Sequence, residues 1–350
     1  MVRQSLGSAR RFALGVIAAA ALAASPSIGA SAADAPAPLH IGVIGILAEA
    51  GLYSAQEQGY FKDEGLTVEF ERGLFGPDAF PALARGQLDA VGGAFGPEVV
   101  NAVQRGVNVK LVISMNNYIP GWDAGYLSVR KELIDSGRVK DWKDLKGLKI
   151  AVTEPQPNLT SYFATKYLAL GGLTLKDVET VNIPFDKMIV ALKTGGVDAA
   201  HTSEPLTTIV SDQGATVKWK PVSAYAPKGL SVAILQFGPS LLEKNRAAGE
   251  KLVAAYIRGA RYYDDALKTP EGRGKIAEML MKYTPVKDRS LYDRLTFAYA
   301  PPDAEITIDA LQDMANNYAA NGGPNAGDVH KLVDDSFRQA ALKRLGPAKP

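Results

Sequence analysis

Ala82-Leu83-Ala84-Arg85-Gly86-Gln87-Leu88-Asp89-Ala90 and, 109 positions later, Ala191-Leu192-Lys193-Thr194-Gly195-Gly196-Val197-Asp198-Ala199 are two copies of one pattern, A-L-x-x-G-x-[LV]-D-A. Each copy reads as the end of an amphipathic helix, a glycine stop and a short strand opening Leu/Val-Asp-Ala. Each runs on into a glycine- or serine-rich corner and a proline placed to open the next helix, at Gly96-Pro97 and Glu204-Pro205. A unit used twice predicts two similar α/β lobes. Two lobes predict a cleft between them, the kind of place where small ligands fit.

Residues 1–32 read as a targeting segment and not as part of the fold. Arg3, Arg10 and Arg11 make a basic start, Phe12 to Ala24 is uncharged, and Ala30-Ser31-Ala32 is a small-x-small cleavage site ahead of Ala33. The apolar run is too short for a membrane anchor. The expected destination is the periplasm, with cleavage after Ala32. Phe12 follows Arg10-Arg11 one place too early for the twin-arginine motif, which favours general secretion.

The chain has 39 basic and 37 acidic residues; cleavage would remove three arginines and leave 36 against 37, a net charge of −1. That balance gives no electrostatic case for nucleic acid as a partner. There is no cysteine, so no disulfide, thiol nucleophile or lipid-attachment site is available.

Strands are expected at 39–45, 67–71, 88–91 and 109–114, and again at 149–153, 178–183 and 197–202. Helical patterns at 49–58, 75–85, 97–104, 159–169, 187–193 and 205–212 alternate with them, which predicts parallel sheets with helices on both faces. The stretch 126–232 reads as an insertion forming lobe 2, with 38–125 and 233–345 forming lobe 1. The chain enters it through Ala124–Arg130 and leaves through Gly229–Gln236, two crossings that would act as a hinge pair. From Pro239 onward the pattern is mostly helical.

In such sheets ligands sit beyond the carboxyl ends of the strands, against helix N-termini. Four corners qualify: Gly45–Ala50, Gly92–Glu98, Thr153–Ser161 and His201–Pro205. The duplication makes the first equivalent to the third and the second to the fourth. Candidate ligand-binding residues are therefore Glu49; Phe95 and Gly96; Gln156, Asn158, Thr160 and Ser161; and Thr202 and Glu204. Asn158, Thr160 and Ser161 are residue types that cap a helix or bond a ligand oxygen. The carboxylates of Glu49, Glu98, Glu154 and Glu204 bring acceptors, which suit a ligand with amine, amide or ring N–H groups better than a purely anionic one. Glu98 and Glu204 are equally suited to the first turn of a helix, where the macrodipole favours them. Asn116 and Tyr118 offer an amide and an aromatic ring before the first crossing. Lys228, beside the return crossing, is the one cation placed near the cleft.

Other chemistry is missing. His40, His201 and His330 have no metal-ligand spacing, and no nucleophile elbow, phosphate-cradling loop or dinucleotide fingerprint occurs. No catalytic residue, metal or cofactor is expected.

The stretch Ala55-Gln56-Glu57-Gln58-Gly59-Tyr60-Phe61-Lys62-Asp63-Glu64-Gly65-Leu66-Thr67-Val68-Glu69 resembles the A-x-E-x-G-[YF]-F-x-x-E-G-L-x-V-E signature of the nitrate/sulfonate/taurine and thiamine-pyrimidine solute-binding proteins. Gly86–Ala90, Asp144–Val152 and Asp198-Ala199 with Glu204-Pro205 are similar to that family's later motifs. The resemblance spans roughly residues 39–240 and implies a type II periplasmic binding fold, two doubly wound lobes joined by two hinge crossings. It implies a monomer that captures a small polar organic molecule, sulfonate- or pyrimidine-like, and hands it to an ABC permease in the inner membrane. It also implies ligand contacts at Glu49, Phe95, Asn158, Thr160, Ser161 and Glu204. One branch of the family is enzymatic and needs a cysteine-rich iron motif, which a chain without cysteine cannot supply. A lobe pair that signals to a receptor is the remaining alternative.

Overall fold

The computed structural model describes residues 37–348 apart from 75, 154–155 and 185–186. The targeting segment, its cleavage site and Glu154 lie outside the described residues. Ten strands form two five-stranded sheets. The first sheet takes β1 (Leu39–Val43), β2 (Val68–Arg72), β3 (Ala90–Gly93) and β4 (Lys110–Tyr118). The second takes β5 (Gly125–Arg130), β6 (Lys149–Val152), β7 (Glu179–Asn182), β8 (Ala199–Ser203) and β9 (Thr216–Pro221), after which β10 (Leu230–Phe237) returns to the first. The spatial orders are β2-β1-β3-β10-β4 and β7-β6-β8-β5-β9. These are one topology used twice, with β10 and β5 as counterparts.

The sheets are mixed, not parallel throughout as the strand–helix alternation predicted. β10 is antiparallel to β3 and β4, and β5 is antiparallel to β8 and β9. The cause is the exchange of strands. The other strands of each sheet run toward the cleft, so a strand that arrives from the opposite lobe enters at that end and runs away from it. The stretches expected as crossings, 124–130 and 229–236, are mostly these paired strands. The passages themselves lie just ahead of each, at 119–124 and 222–229. They are tied side by side: Ser223 donates from its N–H to Asp123 Oδ1 at 2.8 Å and from its hydroxyl to Oδ2 at 2.7 Å.

The repeated nonapeptide has the same local chemistry in both lobes. Gly86 and Gly195 stand at φ +69° and +74°, left-handed values that a side chain resists. There the next N–H turns back to the helix, Gln87 to Ala82 O and Gly196 to Ala191 O, each 2.9 Å. The aspartate then closes a two-bond clamp. Asp89 donates its N–H to His40 O at 2.8 Å, and its Oδ2 accepts the His40 N–H at 2.8 Å. Asp198 repeats this on Lys149, at 2.8 and 2.9 Å. The carbonyls reach the exchanged strands: Asp89 O accepts from Gly238 N at 3.0 Å and Asp198 O from Arg130 N at 2.9 Å.

The long helix Arg246–Leu267 packs against Ala50–Glu57, Pro270–Tyr283 and Ser336–Leu345, while Ile308–Ala320 reaches across to Leu159–Leu170 of the other lobe. A continuous apolar core runs from Ile41, Leu111 and Leu235 to Ile150 and Phe163. A smaller cluster of Met188, Leu192, Val197 and Val210 lies in the second lobe. No helix among the described residues is long and apolar enough to cross a membrane.

Removing either clamp carboxylate strands a strand-opening N–H. Asp89→Ala and Asp198→Ala are each expected to cost about 1–2 kcal/mol in urea unfolding, with Asn at either position costing less. The two losses should add in the double variant, because the clamps share no partner.

Candidate functional site

The first corner is filled from within. Glu49 is 1% exposed; its carboxylate accepts from the N–H groups of Ile44, Gly45 and Ile46 at 2.8, 2.8 and 3.0 Å and from Tyr53 Oη at 2.7 Å. Three converging N–H groups make an anion site, and here the chain's own carboxylate is the anion. Burial pushes the Glu49 carboxyl above its ordinary range, opposed by the bonds from Tyr53 and the backbone.

The described side chains of the equivalent third corner are polar and uncharged. Asn158 caps helix Leu159–Leu170 by accepting from Ser161 N at 3.1 Å, and Ser161 Oγ accepts from Asn158 N at 2.9 Å. Thr160 Oγ1 accepts from Thr153 N at 2.9 Å and donates to Asn158 Oδ1 at 2.8 Å. Gln156 is exposed and donates to Asn182 Oδ1.

At the fourth corner Glu204 also turns inward. It accepts from Thr208 N and Oγ1 at 3.0 and 2.8 Å and pairs with Lys218 Nζ at 3.0 Å. Thr296 N, from the C-terminal part of the chain, reaches the same carboxylate at 3.4 Å. Thr202 is fully buried and bonds Ser128 and Thr207. At the second corner Phe95 is buried and its carbonyl accepts from Tyr318 Oη. Gly96 is the N-cap of helix Pro97–Gln104. The Glu98 carboxylate folds over its Cα where a Cβ would stand, so a side chain at this position would move Glu98.

Aromatic rings fill the space between the lobes. Phe95, Tyr318, Tyr162, Phe163 and His201 follow one another at centroid spacings of 6.4, 6.3, 5.6 and 4.3 Å, with Tyr118 and Tyr225 packed beside Phe163. Tyr118 bonds Ser203 across the lobes at 3.3 Å, and burial pushes its hydroxyl up to about 12. His201, 3% exposed, lies between Tyr225 Oη and Ser203 Oγ; burial pushes its imidazole down to about 3.

The open space lies beside this stack. A cleft of about 770 Å³ is bounded by Phe80, Pro97 and Glu98 from the first lobe, by Thr153, Gln156 and Asn158 from the second, and by Gly322–Pro324. A chamber of about 170 Å³ adjoins it and shares Phe80 and Glu98, with Ile44, Gly92–Ala94 and Gln236 as further walls. Of the twelve candidates read from the sequence, Gln156 and Asn158 line this space, backed by Thr160 and Ser161. Glu49, Phe95, Thr202 and Glu204 are internal. Asn116 is buried and donates to Tyr299 O, and Lys228 is exposed on the return passage. Gln236 escaped the sequence reading, although it is the one amide in the apolar run Leu230–Phe237 and is 2% exposed.

One group among the described residues has metal-ligand geometry. His40 Nδ1 stands 2.9 Å from Glu71 Oε1 and 3.8 Å from Glu69 Oε2, at the opening end of β1, away from the cleft. Sequence spacing could not show it, because strand pairing brings His40 opposite Glu69.

The NMT1/THI5 like family model matches residues 48–272. The chain belongs to that family. None of the curated proteins matches the chain in sequence. Similar solved structures include a zinc-bound ligand-binding component of an ABC-type import system from Staphylococcus aureus (TM-score 0.70, 14% identity, 87% of this chain and 98% of that one). The periplasmic nitrate-binding protein NrtA from Synechocystis matches with TM-score 0.70 and 15% identity over 88% of this chain and 89% of its own. A desulfurization enzyme, DszB, shares the fold too, at TM-score 0.60 and 14% identity, over 88% and 99% of the two chains. At such identities the likeness is one of fold, the periplasmic binding protein fold.

Both internal carboxylates give stability predictions. Glu49→Gln aims an amide NH₂ or a weaker acceptor at four donors, and Glu204→Ala leaves the Lys218 ammonium unpaired. Each is expected to cost about 2–4 kcal/mol in urea unfolding. His201 yields a pH dependence. Its folded value lies below that of an unfolded histidine, so the unfolded chain takes up a proton that the folded protein refuses, and stability falls as pH drops below about 6.5. Between pH 7 and pH 5 the loss is about 2 kcal/mol. His201→Gln should remove that part of the slope when urea unfolding is compared at the two pH values.

Proposed function

We propose that this protein is the extracytoplasmic solute-binding component of an ABC importer, which captures one small polar organic molecule between its lobes and presents the closed form to a membrane permease. The observation that carries this reading is the two-sided cleft. Its walls come from one strand-to-helix corner of each of two lobes joined by two short passages, so one ligand touches both lobes and shifts their equilibrium toward closure. Membership of the family and the import-system component among the similar folds support the same role. Gln156, Asn158 and Glu98 are the side chains proposed to meet the ligand.

Glu49 bears on which ligand. A sulfonate or nitrate needs converging donors, and the best such set in the first lobe already holds a carboxylate. That supports a ligand recognised through its own N–H groups, pyrimidine-like before purely anionic.

A thermal-shift screen of the mature protein against sulfonates, pyrimidines, aromatic acids and amides is expected to find a compound that raises the unfolding midpoint. That compound should bind one-to-one in calorimetry and reduce the radius of gyration in solution scattering. Asn158→Ala should weaken it by about tenfold, the worth of one hydrogen bond to a ligand. Conversion of the compound to a product would instead favour an enzyme on this fold. The export route is checked separately: mass spectrometry of the periplasmic fraction should find a mature N-terminus at Ala33.

A further inference from the structure

The chamber beside the cleft has an imbalance of hydrogen-bonding groups. Gln236 is 2% exposed, and its Nε2 donates to Ala94 O at 3.2 Å. That bond fixes the amide's orientation, since the flipped rotamer would set two oxygens against each other. The other end of the amide, Oε1, has no partner. An unpaired buried acceptor is costly to the free protein, and Gln236 lines the chamber wall.

Glu98 forms the boundary between chamber and cleft. Among the described residues its carboxyl has neither an ion-pair partner nor a side-chain donor; it accepts only from its own backbone N–H, and burial pushes its pKa up. The first-lobe N–H groups that could have balanced these oxygens, those of Ile44, Gly45 and Ile46, are held by Glu49. The chamber thus presents one orphaned amide oxygen beside a carboxylate that has no cation. At about 170 Å³ it has room for roughly five groups the size of a water molecule, enough for an ammonium or amidinium group and not for a whole ring system with its substituents.

We propose that Glu98 and Gln236 form an acceptor subsite that receives a protonated nitrogen group, an ammonium or amidinium, at one end of the ligand. The rest of the ligand lies in the larger cleft against Gln156 and Asn158. This assignment rests on the solute-binding reading and narrows it. Glu98 supplies the countercharge and Gln236 Oε1 accepts one N–H, so the orphaned amide oxygen gains a donor and the unpaired carboxylate a cation when such a group is present. A neutral isostere leaves the carboxylate without its countercharge, and an anion is repelled by it.

The test uses the mature protein and a defined panel in calorimetry: ethylamine, acetamidine and benzamidine as cationic probes, acetamide and benzamide as neutral isosteres, and ethanesulfonate, benzoate and nitrate as anions. At least one cationic probe is expected to bind well ahead of its neutral partner. Glu98→Gln should weaken that probe by about 30-fold and Gln236→Met by about tenfold. Ligand-free unfolding midpoints should stay within about 2 °C of wild type, as expected for changes well under 1 kcal/mol. Equal binding of an anion or a neutral isostere, with Glu98→Gln indifferent, overturns the subsite and leaves the solute-binding role standing. Binding by no member of the panel overturns the subsite, while the solute-binding role is decided by the wider thermal-shift screen.

Discussion

The aspartate clamp is the interaction on which the rest of this structure depends. A parallel strand pair has no hairpin to fix its register. Asp89 and Asp198 supply what is missing by bonding His40 near the start of β1 and Lys149 at the start of β6, each through both main chain and side chain. Their carbonyls take hold of the exchanged strand on the other side. Three segments, two of them distant in sequence, are thereby held in one register. Since a slip of one residue would turn every side chain to the wrong face, the same clamp decides which residues reach the carboxyl ends of the strands. The cleft walls follow from that register.

Fixed corners can then be used in opposite ways. In the first lobe the converging N–H groups at Gly45 are spent on Glu49, which makes the corner rigid and closed to anions. In the second lobe the equivalent corner is capped by the neutral Asn158, which lines the cleft. Glu204, also inside, pairs with Lys218 and touches Thr296, which couples the second lobe to the C-terminal section of the chain. Four glutamates that look alike in sequence have therefore separated: Glu49 and Glu204 hold the frame, Glu98 faces open space, and Glu154 lies outside the described residues.

The sequence made legible what is local. The glycine stops, the Leu/Val-Asp-Ala strands and the twofold plan were readable because a C-cap and a short strand are written in adjacent residues. The antiparallel insertion of β5 and β10 was not, because a strand's direction in a sheet depends on where the chain has come from. β9 was missed although Val217 and Trp219 alternate with Thr216, Lys218 and Lys220, a pattern too short to stand out beside a helix-rich region. The partners of Glu49 lay within a few residues, yet the inward turn of its side chain depends on Tyr53 and on the burial of the whole corner. Gln236 was detectable in principle, as a lone amide in an apolar strand. What it lacks, a donor for Oε1, is a fact of three dimensions only.

The interface between the lobes bears on how closure can be controlled. Tyr162 and Lys166 both bond Asp313, Asn317 bonds Thr165, and Arg294 bonds Asp212. Three of these are partly buried, and the exposed Arg294–Asp212 pair contributes between nothing and about 1 kcal/mol. The aromatic stack contributes more area but also shields His201, whose desolvated imbalance with the unfolded chain works against stability at acid pH. Contacts of this size bring the lobes together without locking them. A ligand can move such an equilibrium only by the difference in its affinity for the open and closed forms. That difference must come from groups brought together by closure itself. In the solute-binding role proposed above, those groups are Asn158 and Gln156 from one lobe and Glu98 from the other, which line the cleft from its two sides.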